Sequence, residues 1–306
     1  MNGKALLNRL NKRLYESSTS AFMDDFTSYQ YFYEAAIEFA KRTKAFQKTQ
    51  TITTVAGTAG YDLEPDFMEL WIRKSDEVPV IRINDGTNNT FIPEATRGYD
   101  DIVMADLSST SAAIADRFAI IPNVSLETQI TGSATSTAAA SLGIATLTDT
   151  SADLTTVKPG DYISNTTDGS DGIVTAITST TVIDTALFGG TNNDWTSGDS
   201  YVVQPQSRWQ IVLDPPPSTA GYTVTVWYMA RPDPVFHDMG IYPFQAEYHA
   251  ALVEYAAWKY KEQDSEYNFG EAHYAAWEDA VKKAVGAINR GLRRNHTMRV
   301  SWKGRK

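Results

Sequence analysis

The sequence predicts an α+β protein. It should combine a helical bundle of two N-terminal and two C-terminal helices with a β-sheet region and an inserted small all-β barrel or sandwich domain. Three observations lead there. Apolar residues recur at helical spacing towards both ends of the chain. Between those ends they alternate with polar residues, as in half-buried strands. From about Thr128 to Gln204 the texture changes again, to short alternating runs separated by Gly, Asp and Asn.

Taken in order, residues 4–16 place Leu6, Leu7, Leu10 and Leu14 at helical spacing, and Ser17, Ser18, Thr19 and Ser20 interrupt it. A second helix is predicted from about Met23 to Phe46, with Asp24 and Asp25 in its first turn and Lys41, Arg42, Lys44 and Lys48 near its end, each sign favourable to the helix dipole. One stripe carries Phe26, Tyr29, Tyr33, Ile37 and Ala40; Phe32, Phe39 and Phe46 form another. A helix this aromatic on more than one side needs cover on more than one side, from its own chain or from a neighbouring subunit.

Strands follow in "KTQTITTVAGTAGYDLEP", "FMELWIRK" and "VPVIRIND", at Phe118–Ile121, at Trp209–Leu213 and at Tyr222–Met229, the last two joined by the turn "DPPPSTAG". The chain becomes helical again from about Pro243 to Asp264 and from Ser265 to Leu292, an antiparallel hairpin. Tyr248, Leu252, Tyr255 and Ala256 share one face of the first of these helices, and Phe269, His273, Ala276, Trp277, Ala280 and Ala284 one face of the second. The β texture that stops near Glu127 resumes at Arg208. The expected organisation is therefore a body of residues 1–127 and 207–290, an inserted β unit at 128–206 and a basic tail at 291–306.

Composition narrows the chemistry. Hydrophobic residues make up 42% of the 306 and charged residues 21%, as in a folded globular protein. The absence of cysteine excludes disulfides, thiolate metal sites and a cysteine nucleophile. No apolar run reaches the roughly 18 residues of a membrane-spanning helix, so no membrane partner is expected. Charge is unevenly placed. No acidic residue follows Asp279, while nine cations do; removing these nine from the net −10 leaves about −19 for the rest.

"NTTDGSDG" invites a calcium reading, but no Glu stands where a bidentate ligand would close an EF-hand loop. A hairpin is expected, with Asp168-Gly169 and Asp171-Gly172 supplying turn geometry. His237, His249, His273 and His296 are scattered and do not form H-E-x-x-H. Carboxylate pairs drawn from Glu16, Asp24, Asp25, Asp100 and Asp101 read as caps and solvated faces; there is no G-x-S-x-G and no P-loop. No cofactor and no catalytic residue is expected. The tail mixes Arg290, Arg293, Arg294, Arg299, Lys303, Arg305 and Lys306 with Leu292, Met298, Val300 and Trp302, which favours docking on an acidic protein surface over a grip on nucleic acid.

Two stretches carry a family resemblance. "LLNRLNKRLYE…FMDDFTSYQYFYEAAIEFAKRTKAFQKTQTITTVAGTAGYDLEPDFMELWIRK" resembles the first half of tailed-bacteriophage head-to-tail adaptor (connector, or head-completion) proteins. "IVLDPPPSTAGYTVTVWYMARPDP" with "FQAEYHAALVEYAAWKYKEQDSE" is similar to their second half. The resemblance implies a structural virion protein of the neck, assembled in the host cytoplasm. It implies a ring, usually of twelve copies, beneath the portal protein, with a tail or nozzle protein on the other side. Double-stranded DNA would pass through its channel without sequence-specific binding. Portal docking is then expected of the eleven tail residues named above. Subunit packing is expected of Phe26, Tyr29, Phe32, Tyr33, Phe39, Tyr248, Tyr255 and Trp277. The alternatives are a virion-surface module binding a receptor or glycan through the inserted β unit, and an envelope-degrading hydrolase.

Overall fold

The computed structural model describes residues 1–14, 24–71, 79–105, 112, 114–123, 128–263 and 267–293. In chain order the elements are α1 (Gly3–Leu14), α2 (Asp25–Thr43), β1 (Gln47–Thr53), β2 (Gly60–Asp62), β3 (Phe67–Leu70), β4 (Val80–Asn84), β5 (Asn89–Pro93), α3 (Tyr99–Ala105) and β6 (Arg117–Pro122). Then come β7 (Ile130–Ser133), β8 (Ala145–Thr148), β9 (Tyr162–Asn165), β10 (Ser170–Ser179), β11 (Val182–Phe188), β12 (Ser200–Gln204), β13 (Trp209–Asp214), β14 (Thr223–Ala230), α4 (His249–Gln263) and α5 (Tyr267–Arg293).

Local sequence explains the helix ends. Leu6, Leu10 and Leu14, one turn apart, are the buried stripe of α1. Asp24 caps α2 by accepting from the Thr27 N–H at 3.1 Å. Lys44 ends it with φ +54°, and its N–H donates to the Ala40 carbonyl at 2.8 Å. The chain then extends into β1, so the helix stops short of Phe46. Ser17, Ser18, Thr19, Ser20 and Met23 lie outside the described residues.

Three sheets, and not a helical bundle, dominate the architecture, which corrects the expected fold class. A five-stranded sheet runs β1-β14-β4-β5, with β3 also pairing β14. A three-stranded sheet runs β2-β13-β6. A six-stranded sheet, an open half-barrel, runs β7-β12-β9-β10-β11-β8. The reason is long-range pairing. Strand β14 pairs antiparallel with β1, β3 and β4, and β13 with β2 and β6, so strands that look isolated in sequence close two sheets across about 90 to 180 residues. The sequence of β14 alternates, yet its burial is nearly continuous because both faces are covered: Val224, Val226 and Tyr228 lie in the sheet core, and Thr225 and Met229 are buried on the other side.

Nor is the six-stranded sheet a small appendage to a helical body. It has its own core of Leu147, Ile163, Val174, Ile183, Trp195, Tyr201 and Val203. Its β10–β11 hairpin also enters the helical core: Ala186 of β11 is buried there, and Ile173 of β10 and Phe188 of β11 pack against it. The Phe188 ring lies 5.0 Å from Phe26, centroid to centroid. Sequence reading missed β5, α3 and β7, all short; β5 is preceded by the Asn- and Gly-rich turn "NDGTNN", which hides its alternation.

Candidate interaction surfaces

The loop that suggested calcium is held together by Asn165. Its Oδ1 accepts from the Thr167 and Asp168 N–H groups at 3.0 and 3.2 Å, which fixes the amide orientation. Its Nδ2 then faces Asp168 Oδ2 at 3.2 Å, the Asp194 carbonyl at 3.3 Å and Asp199 Oδ2 at 3.1 Å. An amide nitrogen therefore stands where those oxygens converge. Among the described residues no group of three or more His, Cys, Asp or Glu could hold a metal ion. Gly169 takes the left-handed turn, φ +70°. Gly172 serves differently from the turn role expected of it. It lies in β10, where a Cβ would come within 1.9 Å of the Ala186 carbonyl oxygen.

The aromatic residues expected at subunit contacts sit mostly inside this one chain. Phe32, Phe39, Tyr29 and Trp277 are at most 3% exposed, and Phe26, Tyr33, Tyr248 and Tyr255 pack half-buried on the same core. Cover for both stripes of α2 comes from α1, α4, α5 and β11. Phe39 stacks on Phe244 at 4.9 Å and meets Trp277 at 6.2 Å; Tyr255 meets Trp277 edge-on at 5.2 Å.

Charged groups tie the helices together. Glu254 on α4 is buried; it accepts from Arg13 Nε at 2.8 Å and Nη2 at 2.5 Å, and from His273 Nδ1 at 2.7 Å. Arg42 on α2 forks onto Glu278 on α5, with the Nη2 to Oε2 contact at 2.9 Å. Bonding to Arg42 holds the Glu278 carboxyl below its usual range. At the start of α2, burial and the neighbouring Asp24 and Asp238 raise the Asp25 carboxyl. Burial lowers the His237 imidazole, against Asp238 and Asp184. Sequence gave no hint of these pairs, because 241 positions separate Arg13 from Glu254.

Two open clefts flank α2. One, about 640 Å³, lies between α2 and the ends of β3 and β13, with Phe67, Met68, Trp209 and Arg231 among its walls. The other, about 630 Å³, lies where α2, β1, the turn before α4 and α5 meet; Phe39, Phe46, Phe244, Tyr248 and Ile288 line it. Arg290, Leu292 and Arg293 lie on the last turns of α5, outside the residues whose side chains are described. Arg294, Met298, Arg299, Val300, Trp302, Lys303, Arg305 and Lys306 lie outside the described residues altogether, as does His296.

A family model described as SU10 adaptor protein matches residues 125–302, more than half of the chain. The chain belongs to the SU10 adaptor protein family. No curated protein matches it. The adaptor is thus a phage structural protein of the virion, with other virion proteins as its associates. The match begins just before the six-stranded sheet and runs through α5 into the basic tail. It therefore covers the helical hairpin and residues 291–302 of the segment expected to dock, stopping before Lys303, Arg305 and Lys306. No helix among the adaptor's described residues is long and apolar enough to cross a membrane.

Proposed function

We propose that this adaptor forms a ring of about twelve copies beneath the portal, joins capsid to tail, and lets double-stranded DNA pass through its centre. The observation that carries the reading is family membership over residues 125–302, a span that ends in the cationic tail. Residues 291–306 dock on the portal, the opposite side of the ring meets a tail or nozzle protein, and no reaction is catalysed. Residues 1–127 with 207–290 act as the body of the ring, and 128–206 as a distinct unit of the chain. A net charge of −10 suits a channel from which DNA must slide away. Of the eight aromatic residues expected at subunit contacts, the half-buried Phe26, Tyr33, Tyr248 and Tyr255 keep surface to offer a neighbour.

Deleting residues 291–306 should abolish co-sedimentation with portal while leaving the circular dichroism spectrum intact. Unchanged co-sedimentation would overturn the docking role. Cleared peptidoglycan in a zymogram would overturn the non-enzymatic reading.

A further inference from the structure

The cleft of about 630 Å³ beside α5 is a greasy surface at the place where the tail begins. Phe39, Phe46, Phe244, Tyr248 and Ile288 supply its apolar walls, and Phe244 stacks or meets edge-on with both other Phe rings. Its one charged residue, Lys44, is paired with Glu69 at 3.0 Å. Ile288 is five residues before the end of α5, about 8 Å of helix rise. Leu292 follows Ile288 by four, a spacing that continues the same helix face.

Beyond Arg293 the sequence continues "RNHTMRVSWKGRK". Met298, Val300 and Trp302 alternate with Arg299, Ser301 and Lys303, so an extended segment would put three apolar groups on one side and the cations on the other. The nine residues from Arg293 to Trp302 can span about 30 Å, ample to turn back to Ile288. Tethering also supplies an effective concentration of about a millimolar, so even a weak contact is occupied.

We propose that, before assembly, the tail of each chain folds back so that Met298, Val300 and Trp302 cover the cleft of Phe39, Phe46, Phe244, Tyr248 and Ile288. Portal then draws the tail out of it. The proposal rests on the portal-docking reading above. A covered Trp302 keeps free chains from sticking to one another, and the cations stay solvated, available for first contact with an acidic surface.

The absence of cysteine makes a clean test possible on the full chain. Ala45 lines the cleft and is exposed, and Gly304 falls on the same side of an extended tail as Met298, Val300 and Trp302, so Ala45→Cys paired with Gly304→Cys leaves the core and the three apolar groups untouched. Mild oxidation should give an intramolecular disulfide at least about tenfold faster than in a control pairing Gly304→Cys with Ser200→Cys on the six-stranded sheet. Added portal should slow it. A rate equal to the control, or a disulfide-linked dimer in place of the intramolecular product, overturns the proposal. The same reduced chain reports on portal docking by co-sedimentation, so a failed cross-link with intact portal binding sinks the fold-back alone. A cross-link formed by a chain that never binds portal sinks the docking reading alone.

Discussion

Glu254→Ala probes how α1, α4 and α5 are held together. The Glu254 side chain is 10% exposed and accepts from Arg13, whose side chain is 50% exposed, and from His273, 18% exposed. Removing a partner from a fully buried ion pair costs about 3–5 kcal/mol. Arg13 can rehydrate, so its share falls to about 0.5–1 kcal/mol, the range of surface pairs. His273 loses a hydrogen bond to a charged acceptor, about 1.5–2 kcal/mol. With the lost methylene packing, the substitution should cost about 3 kcal/mol. For 306 residues unfolding cooperatively, an unfolding entropy of about 2.1 cal/mol/K per residue converts this to a fall in Tm of about 5 °C. Differential scanning calorimetry reads it directly. Arg13→Ala and His273→Ala alone should cost about 1 and 2 kcal/mol, and a double-mutant cycle between Arg13 and Glu254 should show coupling. A Glu254→Ala shift below about 1 °C would refute the idea that this carboxylate ties three helices.

Further outcomes are expected from glycine, Phe188 and His237 variants. Gly172→Ala should lower stability by about 3 kcal/mol or more, since a Cβ 1.9 Å from the Ala186 oxygen forces β10 from β11. Gly169→Ala, in open space at φ +70°, should cost only about 1 kcal/mol, and thermal melts will rank the two. Phe188→Ala should cost about 2 kcal/mol, less than a fully buried Phe, and excising 128–206 should expose Phe26 and Tyr29 and increase dye binding. The His237 imidazole is held below its ordinary value by burial, so the unfolded chain binds its proton more readily. Its contribution is therefore complete above the unfolded value of about pH 6.5 and is lost as pH falls below it. Melts at about pH 7.5 and 5.5 should show less acid sensitivity in His237→Asn, which keeps an acceptor for the Gly240 N–H.

Elements whose signal is local could be read from sequence. The stripe of α1, the Asp24 cap and the turn at Gly169 each follow from residues within a few positions of one another. The balance of architecture could not, because it depends on which strands pair. Strand β14 carries a plain period-2 pattern, yet nothing in it names β1, β3 and β4 as partners. The aromatic stripes of α2 showed that cover was needed but not who supplies it, and α1, α4, α5 and β11 turn out to share the task. The cleft beside α5 draws its walls from residues 39–47, 243–248 and 288, which no window of sequence brings together. Gly172 misled because a glycine after Asp reads as a turn, whereas here it makes room for a backbone oxygen.

The ion pairs bear on the proposed docking through the geometry of α5. That helix is pinned at His273 by Glu254 on α4 and at Glu278 by Arg42 on α2, five residues apart. Trp277, buried between them against Phe39 and Tyr255, fixes its rotation. Beyond these, Val281 and Ala284 are buried in the helical core, and from Ala284 to Arg293 the helix runs another nine residues, about 14 Å. A tilt of about 10° there would move its end by about 2 Å, enough to break a side-chain contact. A partner of the tail, docked as proposed above, would therefore meet a chain whose point of departure is set by two buried-edge pairs, Trp277, Val281 and Ala284. On that proposal Arg42→Ala should weaken portal binding by more than its small effect on Tm implies, and co-sedimentation set beside calorimetry on the same variant would expose the difference. Binding that falls only in step with stability would show that the tail works as a free tether, indifferent to where its helix points.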